Sequence, residues 1–239
     1  VTEEVSMRVF RTILVAVAAA ATLGGLVGCA PASAPSTPDA AKDATDDLWA
    51  AIEAEDADAA IRAIEDGAEL EDRGGQNDAT PLIQATKQNQ PMIARVLIDA
   101  GADVNAKDGM QDSAFLYAGA EGLDEILTLT IDAGADVTST NRYGGTALIP
   151  ASEHGHVSTV KLLIAAGVPV DHVNNLGWTA MHEAIILNDG GPDQVETVRL
   201  LLAAGADPDI TENDGRTSRE LAVEKGYDEI VAVIDAAKK

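Results

Sequence analysis

Aromatic residues make up only 3% of this 239-residue chain, and cysteine occurs once, at Cys29. With so few rings, apolar burial has to come from Ala, Leu, Ile and Val, which suits closely packed helices. A lone cysteine rules out an internal disulfide, so an exported domain would rely on packing. Basic residues are scarce as well: 16 Lys and Arg face 40 Asp and Glu, for a formal charge of −24. Arg8 and Arg11 offset Glu3 and Glu4, so the segment from Cys29 onward carries that whole charge. Phosphate binding needs clustered Lys and Arg, which argues against nucleic acid as a partner. An anionic lipid surface would repel the domain, and charge favours a basic protein partner. The signatures of bond chemistry are missing too. There is no Gly-x-Ser-x-Gly, no Gly-rich phosphate loop and no His-Glu-x-x-His. The acidic stretches Asp43 to Asp47, Glu53 to Asp58 and Asp207 to Asp214 are not spaced as a calcium loop and read as solvated faces and caps. No enzymatic activity and no cofactor are expected.

What the chain does have is periodicity. Thr80-Pro81-Leu82-Ile83, Ser113-Ala114-Phe115-Leu116, Thr146-Ala147-Leu148-Ile149, Thr179-Ala180-Met181-His182 and Thr217-Ser218-Arg219-Glu220 each open an apolar helical pattern. Their first residues are 33, 33, 33 and 38 apart. A Gly-Ala-Asp marker or a variant closes each unit, at Gly67, Gly101, Gly134, Gly167 and Gly205. Two markers in one phase mean a stack of repeats in which each unit touches only its neighbours. Thr or Ser at a helix start can accept a backbone N–H. Pro81 gives up an N–H that has no partner there. Glycine after an apolar helix suits a left-handed terminal residue. Second-helix cores recur at helical spacing, as in Ile93, Val96, Leu97 and Ile98, or Val195, Val198, Leu201 and Leu202.

The unit resembles the ankyrin repeat, with its Thr-Pro-Leu-His start, two antiparallel helices and a β-hairpin-like finger. The unit around Thr146 shows this best. Ala151 to His156 close its first helix, Val157, Val160, Leu162, Leu163 and Ile164 form the second, and Val168 to Gly177 form the finger. The resemblance spans residues 46–239. It implies an all-α fold of helix pairs with hairpin-like fingers, an ankyrin solenoid of about six units including caps. The first unit lacks the Thr-Pro-Leu-His start. The last puts Arg219 where a buried Leu is usual. Both read as caps, with Trp49 in the core of the first. Pro150 falls in the first turn of its helix, where a missing N–H costs least. The 38-residue interval places an insertion near Asn188 to Asp193.

Ahead of the repeats, Met7-Arg8-Val9-Phe10-Arg11 precedes an apolar run from Ile13 to Val27, interrupted by Thr22, Gly24 and Gly25. A basic start and a run shorter than the ~20 residues of a membrane span read as a secretory leader over residues 1–28, with Met7 as its start. Leu26-Val27-Gly28-Cys29 resembles a bacterial lipobox, which implies lipidation of Cys29 and export to the cell envelope as a membrane-anchored lipoprotein. Residues 29–45, rich in Ala, Pro, Ser and Thr, read as a flexible tether.

The resemblance implies a protein-binding scaffold whose fingers and first helices form a groove, and a monomer. The candidate contact residues are Tyr117, Arg142, Tyr143, Trp178 and Glu183, since Trp, Tyr and Arg most often anchor interfaces. The alternative for Tyr143 and Trp178 is packing between adjacent fingers. In the family, imidazoles at the positions of His156 and His182 hydrogen-bond backbone groups within and between repeats. His154 and His172 are expected to face solvent. Exported relatives also suggest an accessory role in peroxide or catalase defence. A metal-dependent hydrolase could be drawn around Glu153, His154 and His182, because zinc takes imidazole and carboxylate ligands.

Overall fold

The computed structural model describes residues 38–237, so the leader, its start at Met7 and the lipidation position Cys29 lie outside the described residues. Twelve helices are described, in six antiparallel pairs: α1 (Pro38–Glu53) with α2 (Ala57–Glu65), α3 (Pro81–Lys87) with α4 (Pro91–Asp99), α5 (Ala114–Glu121) with α6 (Asp124–Asp132), α7 (Leu148–Glu153) with α8 (Val157–Ala165), α9 (Ala180–Ile186) with α10 (Pro192–Ala203), and α11 (Ser218–Lys225) with α12 (Asp228–Ala237). Odd-numbered helices stack in one row and even-numbered helices in a second.

The chemistry that ends the second helices repeats faithfully. After α2, α4, α6, α8 and α10 the chain turns through Gly67, Gly101, Gly134, Gly167 and Gly205, all with φ between +87° and +99°. The next N–H reaches back five residues to a helix carbonyl: Ala68 to Ala63, Ala102 to Leu97, Ala135 to Thr130, Val168 to Leu163 and Ala206 to Leu201. Glycine reaches this left-handed position without the Cβ clash that other residues meet, which is why it marks the period.

First helices start alike, with one exception. Thr80, Ser113, Thr179 and Thr217 each accept the N–H three residues on. Their carbonyls accept the N–H four residues on, from Gln84, Tyr117, Glu183 and Leu221. In the unit of Thr146 that fourth residue is Pro150, which has no N–H. The turn tightens to Ile149 N–H on Thr146 O at 3.1 Å, α7 shortens to six residues, and the buried Thr146 Oγ1 has no partner. The sequence alone makes this proline nearly free of cost. In the fold it removes the one donor that closes the first turn in the sister helices.

Apolar residues from both rows merge into one core: Leu82, Phe115, Leu148 and Met181 from first helices, Leu97, Leu127, Leu163 and Leu201 from second helices. Burying such side chains contributes about 1.5–3 kcal/mol each. The N-terminal unit starts earlier than its composition suggests. Residues 38–45 are helical, with Ala44 and Thr45 buried, because Thr45 Oγ1 accepts the Glu69 N–H and so docks this turn on its own unit. Trp49 packs against the core and donates to Asp72 at 2.8 Å. At the other end Arg219 grips Asp235 of α12 with two bonds of 2.6 and 2.9 Å, an ionic fork where inner units carry a buried Leu, Phe or Met.

The five extra residues near Asn188 are shared between loop and helix. The loop before α10 runs 187–191, and α10 has 12 residues against nine in α4, α6 and α8. This loop is tied down: Tyr227 OH donates to Asn188 O, and a Cβ on Gly190 would stand 2.5 Å from the Tyr227 ring.

Candidate protein-binding groove

The fingers are tight turns more than hairpins. Among the described residues the only β-pairing is an isolated antiparallel bridge, Thr211 with Thr217. Each finger is closed by one N–H reaching the carbonyl four residues on: Gly75 to Ala79, Asp108 to Asp112, Asn141 to Gly145, Asn174 to Trp178 and Glu212 to Arg216. In the last four fingers the side chain at the first position of the turn accepts the N–H groups two and four residues on, whereas the first finger has Gly75 there. Asp108 takes Met110 and Asp112, Asn141 takes Tyr143 and Gly145, Asn174 takes Leu176 and Trp178, and Glu212 takes Asp214 and Arg216. Only an acceptor oxygen on a side chain of suitable reach can do this, so these four positions are Asp, Asn or Glu. Neighbouring fingers are stitched by Gly109 N–H on Asn77 O at 2.7 Å and Asn175 N–H on Tyr143 O at 2.9 Å.

Between the fingers and α5, α7 and α9 lies a groove of about 380 Å³. Tyr117, Arg142, Tyr143 and Glu183, four of the five contact residues expected from the sequence, line it, whereas Trp178 does not. Trp178 is half-buried, and its backbone closes the finger turn. Arg142 lies 3.5 Å from Asp112 and 4.6 Å from the Tyr143 ring centre, so its guanidinium stays on the finger side. Tyr143 is 52% exposed, and Leu176 and Leu187 add apolar surface at 47% and 48%. These two leucines, with Glu121, Glu153 and His154, are groove residues that the sequence reading misses. Register could have found several of them. Counting from the helix-opening residue, Tyr117, Pro150 and Glu183 are each four on, and Glu121, His154 and Leu187 each eight on. Residues four apart share one helical face.

Glu183 is buried at 6% exposure, and its Oε1 accepts from Asn174 Nδ2 at 2.8 Å. Burial foremost, and then the Glu153 carboxylate, push its carboxyl up to about 7, against the Asn174 hydrogen bond and the His154 charge. Asp112 is also raised, first by burial and then by Asp108, with Arg142 opposing. At the far end of the same side, Lys87 Nζ sits 2.5 Å from buried Asp108 and 5.9 Å from the Tyr117 ring centre.

The histidines follow expectation in part: His182 bonds backbone within its unit, whereas His156 only packs. His182 is fully buried, with Nδ1 accepting the Thr179 N–H at 3.1 Å in a capping box. An accepting Nδ1 leaves the proton of the neutral ring on Nε2, which makes no full hydrogen bond and lies toward the backbone of Ile210. Burial holds this imidazole below its ordinary value. His156 packs its ring over Gly122 and edge-on to His154, at 5.4 Å between centroids. Bonds between units come from His154 Nδ1 to Ala120 O at 2.9 Å and His172 Nε2 to Gly144 O at 2.6 Å; His154 is exposed, as expected, and still makes this bond, whereas His172 is half-buried. A carbonyl can only accept, so both nitrogens carry protons. His182 Nδ1 is thus committed to the Thr179 cap, and among the described residues no three His, Cys, Asp or Glu side chains are grouped to hold a metal ion. No helix among the described residues is long and apolar enough to cross a membrane.

Comparison with known proteins agrees with this geometry. Residues 115–212 match the family of ankyrin repeats in three copies, and residues 77–109 match a further ankyrin repeat. The crystal structure of an ankyrin repeat domain from Acinetobacter baumannii AYE is 50% identical, with a TM-score of 0.76 over 80% of this chain and 97% of that one. A second crystal structure, of another ankyrin repeat protein, is 39% identical with the same TM-score and the same coverage of both chains. No curated protein matches the chain.

Proposed function

Since the chain belongs to the ankyrin-repeat family, a fold whose domains are typically non-catalytic binding scaffolds, we propose that it holds a protein partner in the groove lined by Tyr117, Tyr143 and Glu183. One observation carries this reading. The groove gathers exposed apolar side chains, Tyr143, Leu176 and Leu187, beside buried polar ones on a single face. Apolar anchors around a desolvated polar centre are how interfaces concentrate their energy. The mechanism is surface complementarity, with no bond made or broken. Replacing Tyr117 and Tyr143 together by Ala should lower capture of the partner from a bacterial envelope extract at least tenfold, measured by quantitative mass spectrometry against wild type. Equal capture by both proteins would remove the groove from the reading.

The location in the cell envelope belongs to the same proposal. The basic start, the apolar run and Leu26-Val27-Gly28-Cys29 support export and lipid attachment at Cys29. Two or more acyl chains hold a protein firmly where one is marginal. That suits a domain of charge −24, which gains nothing from anionic headgroups. Cys29→Ser should move the protein from the membrane fraction to the soluble fraction and abolish labelling by radioactive palmitate. Unchanged labelling would exclude Cys29 as the anchor.

A further inference from the structure

Glu183 is a buried acid with no cation of its own. Its side chain accepts one hydrogen bond, from the neutral amide of Asn174, and the charges that bear on it are Glu153 and His154. Asp108, equally buried, has Lys87 Nζ at 2.5 Å. Arg142, the guanidinium nearest in the groove lining, is held by Asp112 and stacked on Tyr143. A buried carboxyl without a countercharge is costly, and natural folds pair such groups or use them. Here the unmet group faces open space, because Glu183 and Glu153 both line the groove.

Resting on the groove-binding reading above, we propose that the groove receives a lysine side chain of the partner protein, with its ammonium against Glu183 and Glu153 and its methylene stem along Leu176 and Leu187. Charge, shape and chemistry agree. The groove lining holds Asp112, Glu121, Glu153 and Glu183 against Arg142 and His154, so it favours a cation. Its exposed leucines suit an aliphatic stem that lies along apolar surface while its head reaches a polar group. Asn174 already occupies Oε1 of Glu183, leaving one oxygen for a single-point contact. A compact ammonium suits that better than the two-pronged guanidinium of arginine.

Proton linkage follows. The groups lining the groove with Glu183 are Glu153 of α7 and His154 just after it, Tyr117 and Glu121 from α5, and Asp112, Arg142, Tyr143 and Asn174 from the fingers. With its carboxyl pushed up to about 7, the free groove holds a proton there below neutrality, and an incoming ammonium displaces it. Binding is therefore tighter at pH 8 than at pH 6.

The test uses the full-length protein and a capped heptapeptide of alternating Ala and Lys, followed by isothermal titration calorimetry at fixed ionic strength, with Arg and Glu versions as comparators. The lysine peptide should bind about tenfold more tightly at pH 8 than at pH 6. Glu183→Gln should lose about tenfold at pH 8 and remove the pH dependence. Glu65→Gln, the same change in charge on α2 away from the groove, should stay within twofold of wild type. Equal effects of Glu183→Gln and Glu65→Gln, no measurable lysine-peptide binding, or tighter binding of the arginine peptide would each overturn the lysine seat. If Tyr117→Ala with Tyr143→Ala weakens the peptide and Glu183→Gln does not, the cation seat falls and groove docking stands. If neither changes binding, both fall.

Discussion

Two buried carboxyls, Asp108 and Glu183, sit where a finger meets a first helix, and the fold treats them in opposite ways. Asp108 lies on its finger, accepts the N–H groups of Met110 and Asp112, and receives Lys87 from the end of α3. Glu183 lies on α9 and receives only the amide of Asn174, the residue that occupies the finger position of Asp108 two units on. One acid is finished within the fold. The other is left open on the groove side, with a second carboxylate, Glu153, near it. The difference separates a structural buried charge from one available to a ligand. The first is satisfied by backbone and cation together, the second by a neutral donor that covers one oxygen.

Breaking the finished pair should have the largest effect. Lys87→Met strips the cation from a fully buried carboxylate and is expected to destabilise the protein by about 4 kcal/mol at pH 7, the range for removing one partner of a buried pair. Urea denaturation followed by circular dichroism reads this directly, and a loss below about 1 kcal/mol would mean that backbone donors alone satisfy Asp108.

The opposite sign is expected at the open acid. The Glu183 carboxyl is raised from 4.5 to about 7 in the fold, so the folded state binds the extra proton between those values. Stability contributed by this group is present below about 4.5 and is lost as pH rises through about 7. Glu183→Gln keeps the acceptor for Asn174 and removes the charge. It should stabilise the protein at pH 8 by about 2 kcal/mol, once groove water screens part of the full shift, and by almost nothing at pH 4.5. A parallel pair of stability-versus-pH curves for variant and wild type would contradict the assignment.

The smallest expected effect concerns the helix starts and sharpens a second contrast, between α7 and its sisters. Thr179→Ala removes a side-chain cap and half of a capping box and should cost about 1 kcal/mol. Thr146→Ala removes a hydroxyl that caps nothing and should change stability by less than about 0.5 kcal/mol. Comparable losses in thermal melts would mean that Thr146 caps α7 in solution despite Pro150.

Several of these features are legible in the sequence alone. The Thr or Ser starts and the closing glycines share one phase because caps and left-handed turns depend on local backbone geometry, which a sequence states directly. Tyr117, Arg142, Tyr143 and Glu183 are legible as a surface because position within a repeat fixes which face a residue takes. Trp178 misleads because residue type says how a side chain could bind but not whether its finger turns it toward the groove. The bonds that His154, exposed as expected, and His172, half-buried, make to the preceding unit escape the sequence for a related reason. Their partners, the carbonyls of Ala120 and Gly144, lie 34 and 28 residues back in the preceding unit. The start of α1 at Pro38 is hidden by a composition typical of tethers. Its anchor, the Glu69 N–H on Thr45, comes from 24 residues away.

By itself, the sequence determined the repeat, its period, the all-helical stack and the excess of negative charge, because each follows from local propensity and spacing. Only the tertiary structure decided which acids find a cation, which histidines bridge units and which side chains share the groove. Those outcomes depend on distances between residues of different repeats, and spacing along the chain does not set the few ångströms that separate a paired charge from an open one.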